Sequence, residues 1–344
     1  MSQAIDNNDI QHSTPIPGDI HVTGIVRSTP AILSILLKDR TLCTAAGNDD
    51  DGEGSTNITY ASDGHPYDRH SHILPAHFAD KDSCTIMPRV SKHKSLQLSR
   101  SKCHAEVFTP AWICNAQNNL VDEQWLGRRG VFNTPYTDSD GTHRWETSRE
   151  PVTFNGKKTW RHYLRSRRME FTCGEAPYLA SRYDTTTGER ICIGQRIGVL
   201  DRKFRVINEN IPSTPTWRNK RQWLRKAYQA LQSVYGFDWQ GDNVFLSRET
   251  LFHSFCDYYL ERWHRLPHMS AMLKAAEIIS WNIWQMDGIT FNRPFTSTPA
   301  VIKEWRGIEP LKGKTLKFSD LLKKRRNPDR NRQHPITKET GQDN

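Results

Sequence analysis

The chain has 344 residues, a formal net charge of +10 and 36% hydrophobic residues. A chain of this length buries a substantial core in one large domain or two smaller ones, and nothing in it approaches the roughly 18 consecutive apolar residues of a membrane span. The excess of lysine and arginine indicates a polyanionic partner such as nucleic acid, although a merely solvated basic face is the alternative. These features predict a soluble protein that does not insert into membranes.

The cysteines and the first residues indicate a reducing compartment. The seven cysteines are odd in number and form no C-x-x-C pair, which argues against a disulfide framework and a tetrathiolate zinc site. Cys103, His104 and Cys114 also lack the spacing of zinc ligands. The segment Met1–Asp9 has neither the basic nor the apolar part of a signal peptide. We therefore predict a cytoplasmic protein without a bound metal.

The N-terminal part is predicted to form a leader and an accessory region. Residues 1–28 are polar and contain too few apolar side chains to offset the entropy of ordering, which predicts disorder. Residues 29–100 follow as an accessory region, with an apolar cluster at Ile32–Leu37 and a short strand at Ile58–Ala61. The basic run Arg89–Lys102 has few large apolar groups and is typical of a linker or an exposed arm.

An α/β domain is predicted over residues 101–320. Its first helix begins after Thr109 as the N-cap, with Pro110 at the first helical position. Residues 127–159 are rich in Gly, Thr, Asp and Ser and are predicted to form an insertion loop with a hairpin, whose length indicates a functional role. Residues 321–344 lack apolar periodicity and are predicted to be a disordered basic tail that can contact nucleic acid.

The centre of this domain alternates between strand and helix patterns. The predicted order is a strand that ends near Cys173, a helix at 217–232, a strand at 234–238, a helix at 243–263, a helix at 268–277 and a further element at 278–286. Strands that alternate with helices predict an α/β fold with a mainly parallel sheet.

Three of these elements end in residues that suit a nucleoside. The buried apolar strand Val234–Phe237 ends at Asp238, and a carboxylate at this place binds ribose hydroxyls in doubly wound α/β domains. The first strand ends in a turn at Gly174, where the missing side chain lets the backbone approach a ligand. The last element ends at Asp287. A glycine turn alone is more often an ordinary connection, but the three ends in this order predict a nucleoside-binding edge.

Together with Phe108-Thr109-Pro110 upstream, these segments resemble N6-adenine DNA methyltransferases of the gamma-type motif order, specifically the modification subunits of restriction systems. The resemblance covers residues 85–290 and extends less closely to residues 30–90. It implies a Rossmann-like S-adenosylmethionine-dependent methyltransferase fold with an N-terminal extension. It also implies methyl transfer to a flipped adenine in double-stranded DNA, within a restriction-modification system that contains a specificity or restriction subunit.

The resemblance assigns a set of cofactor residues. They are Phe108, Thr109, Pro110, Cys173, Gly174, Glu175, Asp238, Trp239 and Asp287. The F-T-P segment and the glycine turn help to hold S-adenosylmethionine in that family. Asp238 matches its ribose-binding acid, and Asp287 matches the carboxylate that meets the adenine amino group. The turn continues with Glu175-Ala176-Pro177 where the family usually has a second glycine.

The catalytic loop of the family has no direct match. Adenine methyltransferases bind the target amino group with an Asn/Asp/Ser-Pro-Pro-aromatic sequence, which the chain lacks. The closest segment is Asn292-Arg293-Pro294-Phe295, so Asn292, Pro294 and Phe295 are the predicted catalytic residues. The family inserts a helix before this loop, whereas the segment here follows Asp287 by five residues. Three alternatives stay open: the segment is an exposed turn, a partner subunit supplies the loop, or the chain is a non-catalytic DNA-binding or scaffold subunit that retains the fold.

Two basic segments also contain aromatic residues. Arg161–Arg168 lies directly after Trp160, and Trp217–Lys226 combines two tryptophans with five basic residues. Basic residues beside aromatic rings can hold phosphates and stack on exposed bases. These segments are the sequence-based candidates for contact with nucleic acid.

Overall fold

The computed structural model describes residues 24–45, 56–62, 66–78, 86–104, 106–308 and 311–326, and all structural statements below refer to them. Within these ranges the helices are α1 (Ile25–Ser28), α2 (Pro30–Leu37), α3 (Arg40–Ala45), α4 (Lys94–His104), α5 (Ala111–Leu126), α6 (Trp160–Arg165), α7 (Val199–Asn210), α8 (Trp217–Leu231), α9 (Gly241–Trp263), α10 (Met269–Asn282) and α11 (Phe318–Arg326). The strands are β1 (Asn133–Thr137), β2 (His143–Thr147), β3 (Arg168–Glu170), β4 (Val234–Asp238), β5 (Ile283–Gln285), β6 (Val301–Ile308) and β7 (Leu311–Lys317). Short 3₁₀ turns cover Pro75–Phe78, Arg89–Ser91 and Ile193–Gln195.

The centre of the fold is a three-stranded parallel sheet in the order β3-β4-β5. Met169 pairs with Tyr235 across the first interface, and Phe237 pairs with Trp284 across the second. All five residues of β4 are buried, as expected for a parallel strand that is covered on both faces. The predicted α/β class and parallel sheet are confirmed, although the sheet is small.

The two faces of this sheet contact different layers. One face packs on helices α9 and α10 and belongs to the main hydrophobic core, which also includes residues of α7 and α8. The other face carries Tyr235, Phe237 and Trp284, which pack against Phe318 at the start of α11 and against the β6–β7 hairpin. Because side chains alternate along a strand, neighbouring residues of β4 contribute to two separate cores.

Most of the central elements agree with the sequence-based expectations. The predictions for α8, β4 and α9 are confirmed to within two residues. The helix predicted at 268–277 continues to Asn282, so the following strand is only Ile283–Gln285. Residues 278–286 are all buried, and a continuous buried run does not mark where a helix passes into a strand.

The N-terminal accessory region is more ordered than its sequence indicates. Ile25–Ser28, at the end of the expected leader, form α1, and Val26 is fully buried. Arg27 and Glu249 form an ion pair of 2.9 Å that joins α1 to α9. The expected strand at Ile58–Ala61 contributes a single antiparallel bridge between Thr59 and His72. Residues 1–23 of the leader and 327–344 of the basic tail lie outside the described residues.

The basic run at Arg89–Lys102 is neither a linker nor an exposed arm, so that prediction is wrong. Most of the run lies in α4, and the side chains of Lys92 and Arg100 are both only 2% exposed. Arg100 donates hydrogen bonds of 2.7 and 2.8 Å to Glu106, and Lys92 Nζ lies 2.9 Å from Asp242 Oδ2. Buried carboxylates offset the cost of burying these cations.

The segment between α5 and α6 contains the predicted hairpin, β1–β2. Asn133 at the start of β1 exchanges two side-chain hydrogen bonds of 2.9 Å with Asn115 of α5. At the start of α5, Pro110 is the N-cap and the helix begins at Ala111, one residue later than expected. Within the described ranges, no helix is long and apolar enough to cross a bilayer.

Candidate functional site

The carboxyl ends of β3 and β4 meet at a hydrogen bond between a turn and a carboxylate. The backbone N–H of Gly174 donates to Asp238 Oδ2 at 2.9 Å, and the backbone N–H of Gln240 donates to Asp238 Oδ1 at 2.9 Å. Gly174 has φ +53°, a left-handed conformation that glycine adopts without steric cost. The carboxylate is thereby fixed at the edge of the sheet, with 7% of the residue exposed.

Burial makes the acidic groups of this edge harder to ionise. Burial raises the pKa of Asp238 to about 6, although the hydrogen bonds from Gln240 and Gly174 oppose the shift. Glu170, the last residue of β3, accepts backbone hydrogen bonds from Tyr178 and Leu179 beneath the glycine turn. Burial raises the pKa of Glu170 well above its usual range. Asp238 can therefore change its protonation state near neutral pH.

The F-T-P segment lies against the glycine turn. A methyl group added at Gly174 would lie 3.3 Å from Cε1 of Phe108, and the guanidinium of Arg89 lies 5.4 Å from the centre of the Phe108 ring. The carbonyl of Thr109 accepts a hydrogen bond of 3.3 Å from the Thr185 hydroxyl. The structure thus brings Phe108 next to Gly174, which is 66 positions later in the sequence.

Cys173 and Glu175 direct their side chains into the interior. Cys173 is 1% exposed, its Sγ lies 3.5 Å from the Ser247 hydroxyl, and burial raises the pKa of its thiol well above the usual range. Glu175 accepts hydrogen bonds from the Arg89 backbone N–H and the Tyr183 hydroxyl. Both side chains hold the glycine turn in place through these interior contacts, and neither faces solvent.

Trp239 connects the end of β4 to the accessory region. Its indole N–H donates to the carbonyl of Ala61 at 2.8 Å, and its own carbonyl accepts a hydrogen bond of 2.9 Å from Gln285. Gln285 also exchanges hydrogen bonds with the backbone of Thr59. Sequence reasoning did not identify Gln285 as a site residue, although a glutamine in an otherwise apolar run is a signal that could have found it.

Asp287 stabilises the turn that follows it through hydrogen bonds of its side chain and backbone. Its Oδ1 accepts from the Ile289 N–H at 2.8 Å, its Oδ2 accepts from the Thr290 hydroxyl at 2.7 Å, and its N–H donates to the Asn292 carbonyl at 2.8 Å. Partial burial opposes ionisation of Asp287, but these hydrogen bonds together hold its pKa below the usual value. Asp287 and Asn292 are therefore neighbours in one loop.

The N-R-P-F segment is anchored at one end and exposed at the other. Arg293 is buried in an ion pair with Asp39. Phe295 is 43% exposed, and its ring lies 4.3 Å from the His70 ring and 5.1 Å from the Trp239 ring. Because the segment follows β5, the end of β4 with Asp238 separates it from the glycine turn after β3.

The edge as a whole combines a carboxylate, a glycine turn, the ring of Phe108 and an exposed aromatic residue, Phe295. Such groups can hold a nucleoside, because the carboxylate accepts hydrogen bonds from ribose hydroxyls and the exposed ring of Phe295 can stack on a base. Comparison of the chain with protein-family models, with curated proteins and with solved structures gave no match.

Proposed function

We propose that this protein binds S-adenosylmethionine at the carboxyl ends of β3 and β4, as a DNA adenine-N6 methyltransferase-like subunit of a restriction-modification system. The observation that carries the proposal is the hydrogen bond between Gly174 and Asp238, which joins two adjacent parallel strands at their carboxyl ends. Nucleotide cofactors in α/β sheets bind at such a place. The Rossmann-like methyltransferase fold is part of this proposal.

Each residue of the proposed site has a defined role. Asp238 accepts hydrogen bonds from the ribose hydroxyls, Gly174 supplies the left-handed turn whose N–H fixes Asp238, and the ring of Phe108 supports the turn. The bound cofactor supplies an activated methyl group. The protein holds the amino group of a flipped adenine in line with that methyl, so positioning lowers the barrier without a covalent intermediate. Asn292, Pro294 and Phe295 are the proposed base pocket.

A second candidate is a subunit that binds cofactor and DNA without transferring a methyl group by itself. The observation that favours it is the strand order, because β4 lies between the N-R-P-F segment and the glycine turn. The segment is also held by the Arg293–Asp39 ion pair. In this case a partner subunit provides the loop that binds the base, or the chain acts as a scaffold.

Calorimetric titration with S-adenosylmethionine tests cofactor binding. We expect the native chain to bind and Asp238→Asn, which keeps the size of the side chain, to lose most of the affinity. Glu146→Gln is the matched control, because Glu146 is exposed on β2 outside the candidate site and the change removes the same charge. Absence of binding by the native chain, with its fold verified by circular dichroism, would overturn the proposal.

Transfer of a tritiated methyl group to mixed DNA separates the two candidates. Transfer by the native chain supports the enzyme, and binding without transfer supports the partner-dependent subunit. Asn292→Ala is then informative, because the Asn292 side chain makes no hydrogen bond to the described residues and its loss should not disturb the fold. If Asn292→Ala transfers methyl as fast as the native chain, the base-binding role of Asn292 is wrong.

A further inference from the structure

A basic groove lies at the opposite end of the helical layer from the candidate cofactor site. It has a volume of about 440 Å³ and lies between the first turns of α8 and α10, beside the end of α9. Helix α9 begins three residues after Asp238 and has 23 residues, which corresponds to a length of about 34 Å. Tyr259 and Arg265, at the far end of α9, line the groove. The groove is therefore separate from Asp238.

All the charged residues that line this groove are positively charged. Lys220, Arg221, Arg225, Arg265 and Lys274 line it, and no Asp or Glu is among the lining residues. Helix α8 contributes three of these cations and has no acidic residue in any of its 15 positions. Because like charges repel, a concentration of cations without carboxylates favours the binding of a polyanion.

Two of these cations, Lys274 and Lys220, contact aromatic rings. Lys274 Nζ lies 5.2 Å from the centre of the Tyr228 ring, and Lys220 Nζ lies 5.9 Å from the centre of the Trp263 ring. Within the described ranges, Lys220, Arg225, Arg265 and Lys274 form no ion pair with a carboxylate. The rings position Lys220 and Lys274 without neutralising them, so the charge of these two lysines stays available to a ligand.

The excess of positive charge continues along α8 toward α6. Partial burial lowers the pKa of Lys226, and the neighbouring cations Arg165, Arg161 and Arg225 lower it further. The positive charges on this surface are therefore close enough together to oppose the protonation of a lysine. A ligand that extends beyond the groove would meet further cations.

An exposed tryptophan lies at the mouth of the groove. Trp217, the first residue of α8, is 74% exposed, and the guanidinium of Arg221 lies 5.3 Å from the centre of its ring. Grooves that bind single-stranded nucleic acid combine cations for the phosphates with aromatic rings for the bases. A volume of about 440 Å³ is that of a small-molecule pocket, and the exposed ring of Trp217 can stack only on a base that is unpaired.

We propose that this groove binds single-stranded nucleic acid. Lys220, Arg225, Arg265 and Lys274 contact the phosphates, and Trp217 stacks on a base. The inference does not depend on the proposed cofactor site, because no residue of the groove contacts Asp238. It adds a second contact with nucleic acid, about one helix length from the edge of the sheet.

Fluorescence anisotropy with a labelled oligothymidylate of about twenty nucleotides tests the charges. The variant Lys220→Gln/Arg225→Gln/Lys274→Gln should bind at least about tenfold more weakly than the native chain. The slope of log affinity against log salt should fall by about 2, which is roughly 0.7 for each lost phosphate contact on a single strand. Lys312→Gln/Lys314→Gln/Lys317→Gln, at three exposed positions of β7, removes the same charge and is the control.

Comparison of the two triple variants distinguishes binding in the groove from binding by positive charge anywhere on the surface. Normal binding by the control and weak binding by the groove variant support the groove. Equal losses in both variants, or no binding by the native chain, would overturn the proposal. Thermal unfolding of each variant verifies the fold. Titration with S-adenosylmethionine should give native affinity for the groove variant, so failure of the groove and failure of the cofactor site are distinguishable.

Substitution of Trp217 tests stacking. Trp217→Ala should weaken oligothymidylate binding by about five- to a hundredfold, as expected for the loss of one stacked base. Trp217→Phe should restore most of the affinity because it retains a ring. If Trp217→Ala binds like the native chain, or if a duplex of equal length binds more tightly and depends on the same lysines, the assignment to single strands is wrong.

Discussion

The backbone N–H of Gly174 donates a hydrogen bond of 2.9 Å to Asp238 Oδ2, which joins the turn after β3 to the end of β4. The two residues are 64 positions apart, and the parallel pairing of their strands brings them together. The hydrogen bond places the backbone of Gly174 beside the carboxylate of Asp238. The first three predictions concern these two residues.

Replacement of Gly174 by alanine should weaken cofactor binding. An alanine at φ +53° is strained by about 1–2 kcal/mol, and its Cβ would lie 3.3 Å from the Phe108 ring. We expect Gly174→Ala to lower the free energy of unfolding by about this amount and to weaken S-adenosylmethionine binding, measured by urea unfolding and calorimetry. Gly141→Ala in the β1–β2 turn is the control, because Gly141 has φ +84° and no atom lies within 4 Å of an added Cβ. Equal binding by both variants would contradict the prediction.

Cofactor affinity should fall in acid. The pKa of Asp238 is about 6, and only its ionised form accepts hydrogen bonds at both oxygens from ribose and backbone. For this pKa the ionised fraction falls about fivefold between pH 6 and pH 5, so the dissociation constant should rise by about the same factor. Calorimetry from pH 5 to pH 8 measures this change. Asp238→Asn does not titrate and should bind weakly at every pH.

Asp238 should also make stability depend on pH. Its pKa in the folded protein is about 6, above the ordinary value of 3.8, so the folded state binds the proton more tightly than the unfolded chain. Its contribution to the free energy of unfolding should therefore fall as pH rises from about 4 to about 6, and should stay constant above that range. The difference between the native chain and Asp238→Asn, measured by urea unfolding at several pH values, isolates this contribution. A difference that rises over this range would contradict the assigned shift.

Removal of Arg100 should destabilise the fold strongly. Arg100 lies between Glu106 and Asp242, and the loss of one member of a buried charge network typically costs about 3–5 kcal/mol. Urea unfolding of Arg100→Ala should show this loss. Arg129→Ala is the control, because Arg129 pairs with Glu123 but has an 86% exposed side chain, so we expect no measurable change. Similar stabilities for the two variants would contradict the buried network.

The N-R-P-F segment should be coupled energetically to the accessory region. Arg293 and Asp39 form a buried ion pair, and contacting residues show coupling energies of about 0.5–3 kcal/mol. A double-mutant cycle with Asp39→Ala and Arg293→Ala, measured by urea unfolding, gives this energy. Additive effects of the two substitutions would mean that the pair does not anchor the segment.

The sequence alone determined the elements whose signals are local. The apolar run of β4, its end at Asp238 and the periodic patterns of α8 and α9 were predicted to within two residues. The hairpin in the insertion was also predicted, from the Gly, Thr, Asp and Ser content of residues 127–159. These features depend on residues close together in the chain, so their pattern is visible before folding.

Only the tertiary structure decided the features that depend on contacts between residues far apart in the chain. Arg100 appears exposed from its basic neighbours, but Asp242, 142 positions later, makes its burial possible. The strand order places β4 between the glycine turn and the N-R-P-F segment, and the basic groove exists only because α8, α9 and α10 meet. Local periodicity reports which side of a segment is buried but not which segment covers it. That choice depends on hydrogen bonds and ion pairs formed between residues far apart in the chain.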